Sequence, residues 1–425
     1  MKNNKILFGI LAGAIAFASC DRLDYPDRFR ATDGKPTVDF VRYADQDVFI
    51  TQAYMEEVLC LVGSNLTSVH DLYFNDQPAV LNTSYITNHT LLVAVPRNMP
   101  KVQSDSIYLI TKDSTVVTYP FKVLPPNPKV TAMSHEWAAP GETVTISGSY
   151  FIEPLTVEFP GAVATQISNV TQSSFDVVVP AGAEPGKIKV STPSGTAQSV
   201  FMYKDDRGML FNFDNARGNH GWHNQTIESS AVSLSGNYLL LYDNGAAGLK
   251  ADGSDWPDTG YHFEYWPGNW NTPETFDDPD GIDLLKVADF SNFENLALKF
   301  EIMIPADYPW TGTPMQIYFA GKDLITLQTA NNTYFHDETI SLPRVLWRPW
   351  KSSGSYDTGG KWVTVSFPIA TEFIYYWDGT LASGTLNADS FSALEIFLAA
   401  GSSDGEGSPC DPKIYIDNIR VVPCK

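Results

Sequence analysis

Apolar residues recur at every second position through much of the chain. The clearest run is Leu296, Leu298, Phe300, Ile302 and Ile304, interleaved with Ala297, Lys299, Glu301 and Met303 and stopped by Pro305. A period of two puts the first set on one face of a strand and the second on the other, which predicts a half-buried strand. Proline ends it because it offers no N–H to a neighbouring strand. Further strands are predicted over 362–367, stopped by Pro368, and over 394–399 and 414–422. No helical period persists for twelve residues, so the pattern predicts an all-β chain.

Before residue 205 the same order of elements occurs twice. Residues 37–125 contain Leu61-Val62-Gly63-Ser64-Asn65-Leu66, then Leu72-Tyr73-Phe74-Asn75, then Leu91-Leu92-Val93-Ala94-Val95-Pro96. Residues 128–204 contain Ile146-Ser147-Gly148-Ser149-Tyr150-Phe151, then Val157-Glu158-Phe159-Pro160-Gly161, then Phe175-Asp176-Val177-Val178-Val179-Pro180. Recurrence at similar spacing reads as an internal repeat. Both blocks resemble IPT/TIG domains, which implies two small immunoglobulin-like sandwiches acting as spacers. Asn75 stands where the second block has Gly161, a mild departure, since Asn also tolerates positive φ. Pro125-Pro126-Asn127-Pro128 reads as a stiff linker between them. Residues 205–425 are too long for a third spacer and read as one larger, jelly-roll-like β-sandwich.

The N-terminus has its own grammar. Lys2 and Lys5 precede an apolar run from Ile6 to Phe17, followed by Ala18-Ser19-Cys20. This reads as a lipoprotein signal over 1–19, with Phe17 where Leu is commoner, and Cys20 as the lipidated residue. The run is too short for a permanent membrane span. Residues 20–36, with Asp21, Asp24, Asp27 and Asp33, read as a polar tether. The expected location is therefore a membrane surface, reached through a lipid anchor. Of the other cysteines, Cys60 sits in an apolar run and reads as a buried thiol, while Cys410 and Cys424 flank the last strand, where a disulfide is open to an exported protein. No cysteine–histidine spacing suggests zinc.

Charge narrows the partner. A formal net charge of −21 repels polyphosphate and anionic surfaces, which excludes nucleic acid and favours a neutral partner. Nine of the ten tryptophans lie between residues 222 and 377. Flat aromatic rings match the apolar C–H face of neutral sugars, and two or three rings with a few hydrogen bonds reach about −8 kcal/mol, micromolar binding. Trp362 at a strand start and Trp222 read as packing residues, and Trp377 reads equally well either way. The segments interrupted by Pro and Gly are the better ligand candidates: Trp266 and Trp270 with Asn269, Trp310 after Pro309, and Trp347-Arg348-Pro349-Trp350. Packing under a long loop stays open for each.

Three segments carry a more specific likeness: Leu210-Phe211-Asn212-Phe213-Asp214, the run from Leu298 to Pro305 with Pro309-Trp310, and Tyr415-Ile416-Asp417-Asn418-Ile419-Arg420. With the lipobox and the tandem IPT/TIG blocks, they resemble the surface glycan-binding proteins of Bacteroidetes polysaccharide utilisation loci. The resemblance implies non-catalytic capture of a neutral polysaccharide, xyloglucan or another β-glucan, at the outer membrane. It also implies a TonB-dependent transporter complex and surface glycanases as partners, and Trp310, Trp347 and Trp350 as glycan contacts. Rival readings are a surface adhesin and a glycoside hydrolase. A hydrolase needs two carboxylates across a cleft, for which Glu264, Glu274, Asp277, Asp278, Asp280 and Asp283 are available without a recognisable hydrolase motif. No cofactor is expected. The run from Asp277 to Asp283 offers hard oxygen ligands for a structural calcium ion but lacks the EF-hand spacing.

Overall fold

The computed structural model describes residues 30–214, 226–242, 248–249, 260–267, 281–321, 341–399 and 407–424. The chain divides into two compact units between Pro126 and Asn127. Among the described residues it is built of strands with one short α-helix, Ile369–Glu372, and no helix is long and apolar enough to cross a membrane.

The first unit carries two four-stranded sheets, one built on Thr37–Tyr43 and Val58–Ser64, the other on Val69–Phe74 and Ser106–Thr111. Residues 129–198 repeat the plan in two four-stranded sheets around Val144, Ile146, Val157, Phe159, Phe175 and Val177. The repeated glycine has a shared cause. A Cβ on Gly63 would lie 1.9 Å from the Thr37 carbonyl oxygen, and one on Gly148 would lie 1.8 Å from that of Lys129. Only glycine lets the neighbouring strand approach so closely. The left-handed position also recurs, at Asn75 with φ 55° and Gly161 with φ 81°.

Among the described residues, the sandwich that follows has ten strands: β1 (Met209–Phe211), β2 (Ile227–Glu228), β3 (Tyr238–Leu241), β4 (His262–Tyr265), β5 (Leu296–Met303), β6 (Met315–Ala320), β7 (Arg344–Trp347), β8 (Val363–Pro368), β9 (Ala393–Leu398) and β10 (Ile414–Pro423). One sheet runs β2-β3-β10-β5-β8, with β1 also on β10, and the other runs β4-β9-β6-β7. All pairings are antiparallel. Leu298, Phe300 and Ile302 of β5 meet Ile317, Phe319, Leu394 and Ile396 of the facing sheet in one core.

The expectation of a half-buried β5 is corrected: all eight of its residues are buried. The alternation sorts the faces as predicted, but the polar face is covered too. Residues 134–136 of the second immunoglobulin-like block lie against it. Lys299 Nζ donates to Glu136 Oε1 at 2.6 Å, and Arg420 Nη2 donates to Glu136 Oε2 at 2.9 Å. Arg420 also holds Glu301 through two bonds of 2.6 and 3.1 Å. Thr364 receives the Glu136 N–H at 2.7 Å and donates its own N–H to the Ser134 carbonyl at 2.9 Å. Buried charges persist where they are paired and bonded in this way.

The cysteine pairing that the sequence leaves open is decided here. Cys60, Cys410 and Cys424 are free thiols, Cys60 being buried as expected. The ten residues of β10 lie between the other two, about 30 Å of extended chain. Cys410 sits against the Gly312 carbonyl and Cys424 against that of Asn295.

Candidate functional site

The four-stranded sheet has a second, polar face. Phe263, Tyr265, Ile317, Phe319, Ile396 and Leu398 point to the core, so the alternate residues of β4, β6 and β9 point away from it. The register aligns Glu264 with Glu395, Glu395 with Tyr318, and Tyr318 with Arg344, one row across all four strands. The next row is His262, Phe397, Gln316 and Leu346. All eight are buried. Trp266 joins this layer, clustered with Tyr318, Ala320, Ala393 and Phe397. Arg344 donates to Gln316 Oε1 at 2.8 Å, and Gln316 donates to the Ala399 carbonyl at 2.7 Å. The Arg344 guanidinium lies 4.8 Å from the Tyr318 ring centre and 5.8 Å from that of Tyr376, within cation–π range.

At one edge the layer reaches solvent. Arg344 and Tyr375 exchange backbone hydrogen bonds of 2.8 and 3.1 Å, which pins residues 374–382 to β7. That segment turns back on itself through Tyr376 N–H to Thr380 O at 2.8 Å and Ala382 N–H to Ile374 O at 2.9 Å. Tyr376 points inward beside Arg344, while Trp377, perpendicular to it with ring centres 6.3 Å apart, is half-buried. Leu381 is 69% exposed. Arg348 is half-buried alongside the turn, its Nη2 only 3.7 Å from where a Cβ on Gly379 would sit.

The tryptophans marked in the sequence thus separate. Trp266, Trp377 and Arg348 belong to the polar face or its rim. Trp310 and Trp350 lie in the hydrophobic core, a correction to the expectation of an open ring platform. Trp310 is fully buried, its Nε1–H shared between the carbonyls of Gly312 and Thr313 at 2.7 and 2.9 Å, and its backbone is bridged to Tyr356. Pro349 opens a 3-10 turn that carries Trp350 inward to 4% exposure. Trp347, the end of β7, is half-buried with its ring packed edge-on against Trp310 (5.4 Å), Tyr356 (5.6 Å) and Phe367 (5.5 Å). Trp362, read as a packing residue, is half-buried and donates to the Val232 carbonyl at 2.8 Å. Cys20, Trp222, Asn269, Trp270, Glu274, Asp277, Asp278 and Asp280 lie outside the described residues. Asp283, the last member of the acidic run, caps a 3-10 turn by accepting the Leu285 N–H at 3.0 Å. Gln316, Tyr318, Arg344, Tyr376 and Glu395 escape a search for aromatic loops. Their signal is a polar residue at alternate positions of an otherwise apolar strand, as in Ile317-Tyr318-Phe319 and Leu394-Glu395-Ile396.

Residues 203–423, more than half of the chain and the whole of this sandwich, match the family model described as surface glycan-binding protein B xyloglucan binding domain. The chain belongs to the surface glycan-binding protein B family. The crystal structure of surface glycan-binding protein PbSGBP-B from Prevotella bryantii is 39% identical, with a TM-score of 0.79, over 92% of this chain and 100% of that one. An IPT/TIG domain-containing protein of Bacteroides ovatus is 27% identical over 384 residues, 86% of this chain and 68% of the relative. In this surface glycan-binding protein, the sandwich that the family model spans is also the part that carries the polar face and the Trp377–Arg348 rim.

Proposed function

We propose that the sandwich binds a neutral β-glucan of the xyloglucan type without cleaving it, and that Trp377 and Arg348 at the rim of the four-stranded sheet make the contact. The match of residues 203–423 to a xyloglucan-binding family carries this reading. The rim supplies the chemistry. A half-exposed indole offers a flat apolar surface to a pyranose ring, and the Arg348 fork beside it offers donors to hydroxyl oxygens. Glu264, weighed as a hydrolytic carboxylate, is buried behind the rim facing Glu395, which supports capture rather than cleavage. We further infer that Cys20 carries the lipid that tethers the protein to the outer membrane, where a TonB-dependent transporter and surface glycanases would receive the captured chain.

Affinity electrophoresis in gels containing xyloglucan tests the site. Covering about 60 Å² of indole is worth about 1.5 kcal/mol, so Trp377→Ala should weaken retention roughly tenfold. Its melting midpoint should stay near wild type, because the ring is not part of the core. Undiminished retention of the Trp377→Ala, Arg348→Ala double variant would overturn the assignment.

A further inference from the structure

We propose that His262, Glu264 and Glu395 form a site for one divalent transition-metal ion of the zinc class, on the polar face of the four-stranded sheet. Nothing in glycan capture requires these three side chains to converge, yet one ligand atom from each lies within 4.8 Å of the others. Backbone register puts them there. Glu264 and Glu395 are cross-strand partners on β4 and β9, and His262 precedes Glu264 by two residues, on the same face. The imidazole is seated edge-on against Phe397 at 5.7 Å. Exposures of 5%, 2% and 0% for His262, Glu264 and Glu395 place the three in a buried layer.

The spacing favours a shared ion over a plain ion pair. His262 Nε2 lies 3.4 Å from Glu395 Oε2 and 3.9 Å from Glu264 Oε2. The same nitrogen faces both carboxylates. Charge-assisted bonds are also shorter, about 2.7–2.9 Å. Ligands held about 2.0–2.1 Å from a tetrahedral ion stand about 3.4 Å apart. The His262–Glu395 distance has that value, and the His262–Glu264 distance of 3.9 Å lies a little beyond it. A divalent cation seated between two carboxylates directly opposite on a sheet would offset their like-charge repulsion. A mixed nitrogen and oxygen set with three protein ligands suits zinc, whereas calcium takes six to eight oxygens.

The test uses the whole chain and Zn²⁺ alone as the probe. After chelation and desalting, equilibrium dialysis should show one saturable equivalent of Zn²⁺, accompanied by a rise in melting midpoint. The Glu264→Gln, Glu395→Gln double variant keeps side-chain size and should bind at least tenfold more weakly. Wild-type protein that takes up no saturable zinc, or a folded double variant that binds as tightly, overturns the site. Should the double variant fail to fold, Co²⁺ added to wild type decides. Intense visible bands of a four-coordinate nitrogen–oxygen site support the proposal, and the weak spectrum of hydrated six-coordinate Co²⁺ refutes it.

Discussion

Removing the Glu136 carboxylate should loosen the junction between the second immunoglobulin-like block and the sandwich, by an amount that the structure bounds. Glu136 is 3% exposed and takes one bond from Lys299 and one from Arg420. In Glu136→Ala, Arg420 keeps both bonds to Glu301 and a third to the Asn418 carbonyl. Lys299, 6% exposed, keeps, among the described residues, its place over the Phe201 ring at 5.9 Å. The loss is therefore chiefly that of a buried ammonium left without a counter-charge. Breaking a buried pair from one side costs about 3–5 kcal/mol. At about 2–4 °C per kcal/mol for a unit of this size, the melting midpoint should fall roughly 6–20 °C. The control is Glu136→Ala with Lys299→Met, which removes the stranded charge and keeps the apolar stem. Urea unfolding should place the double variant well above the single one. A single variant as stable as wild type, or a double variant no better than the single, would refute the argument that desolvated charge governs this junction.

Two further outcomes follow from burial. Trp350→Ala empties a core position and should cost about 3–5 kcal/mol in calorimetry, while Trp377→Ala costs little; equal stability of the two would contradict the division between core and rim. Asp417 is buried on β10, and burial, with Glu301 and Asp214 adding to it, raises its carboxyl to about 8 despite the Asn418 N–H that it accepts. The folded form thus keeps a proton that the unfolded chain releases near about pH 4, so this contribution to stability is full below that pH and is lost as pH rises towards 8. Asp417→Asn, neutral throughout, should gain on wild type in urea midpoint between about pH 5 and pH 8, and a gap that does not change with pH would refute the assignment.

Local rules carried the fold a long way and then met surfaces that sequence does not display. The period of two in 296–304 located β5 and sorted its faces, because side-chain alternation is a property of one strand. Whether Lys299 and Glu301 meet water depends on Glu136, 163 residues from Lys299, and no local pattern records it. Counting indoles found the right domain for the same reason that it failed inside it. Pro and Gly mark Trp310 and Trp350 as off-strand, but a turn can aim a ring inward as readily as outward. Trp377, which the sequence left balanced, is the one the turn at residues 374–382 leaves half-exposed. The glycines repeated at 63 and 148 were legible as a motif, while their cause, a carbonyl of the neighbouring strand, lies in a strand pairing that no local pattern records.

With the glycan at the proposed rim, the two outward faces of the sandwich divide its labour. On the six-stranded sheet, Lys299, Glu301, Thr364 and Arg420 are engaged by Glu136 or by one another. That face is spent on holding the sandwich to the block before it, and its paired charges make sliding costly, since any shift strands an ion in a dry layer. At the proposed site, a polysaccharide held at the other sheet would transmit any pull through the core to this junction. A neutral ligand needs rings and hydroxyl partners instead of counter-charges, and Trp377 with Arg348 offers both on the rim of the sheet that the junction leaves alone. Fixing one face with charge and meeting sugar at the other, as proposed, would separate the two tasks. A change at the Glu136 junction should therefore move stability and leave glycan affinity in place, and a change at the rim should do the reverse.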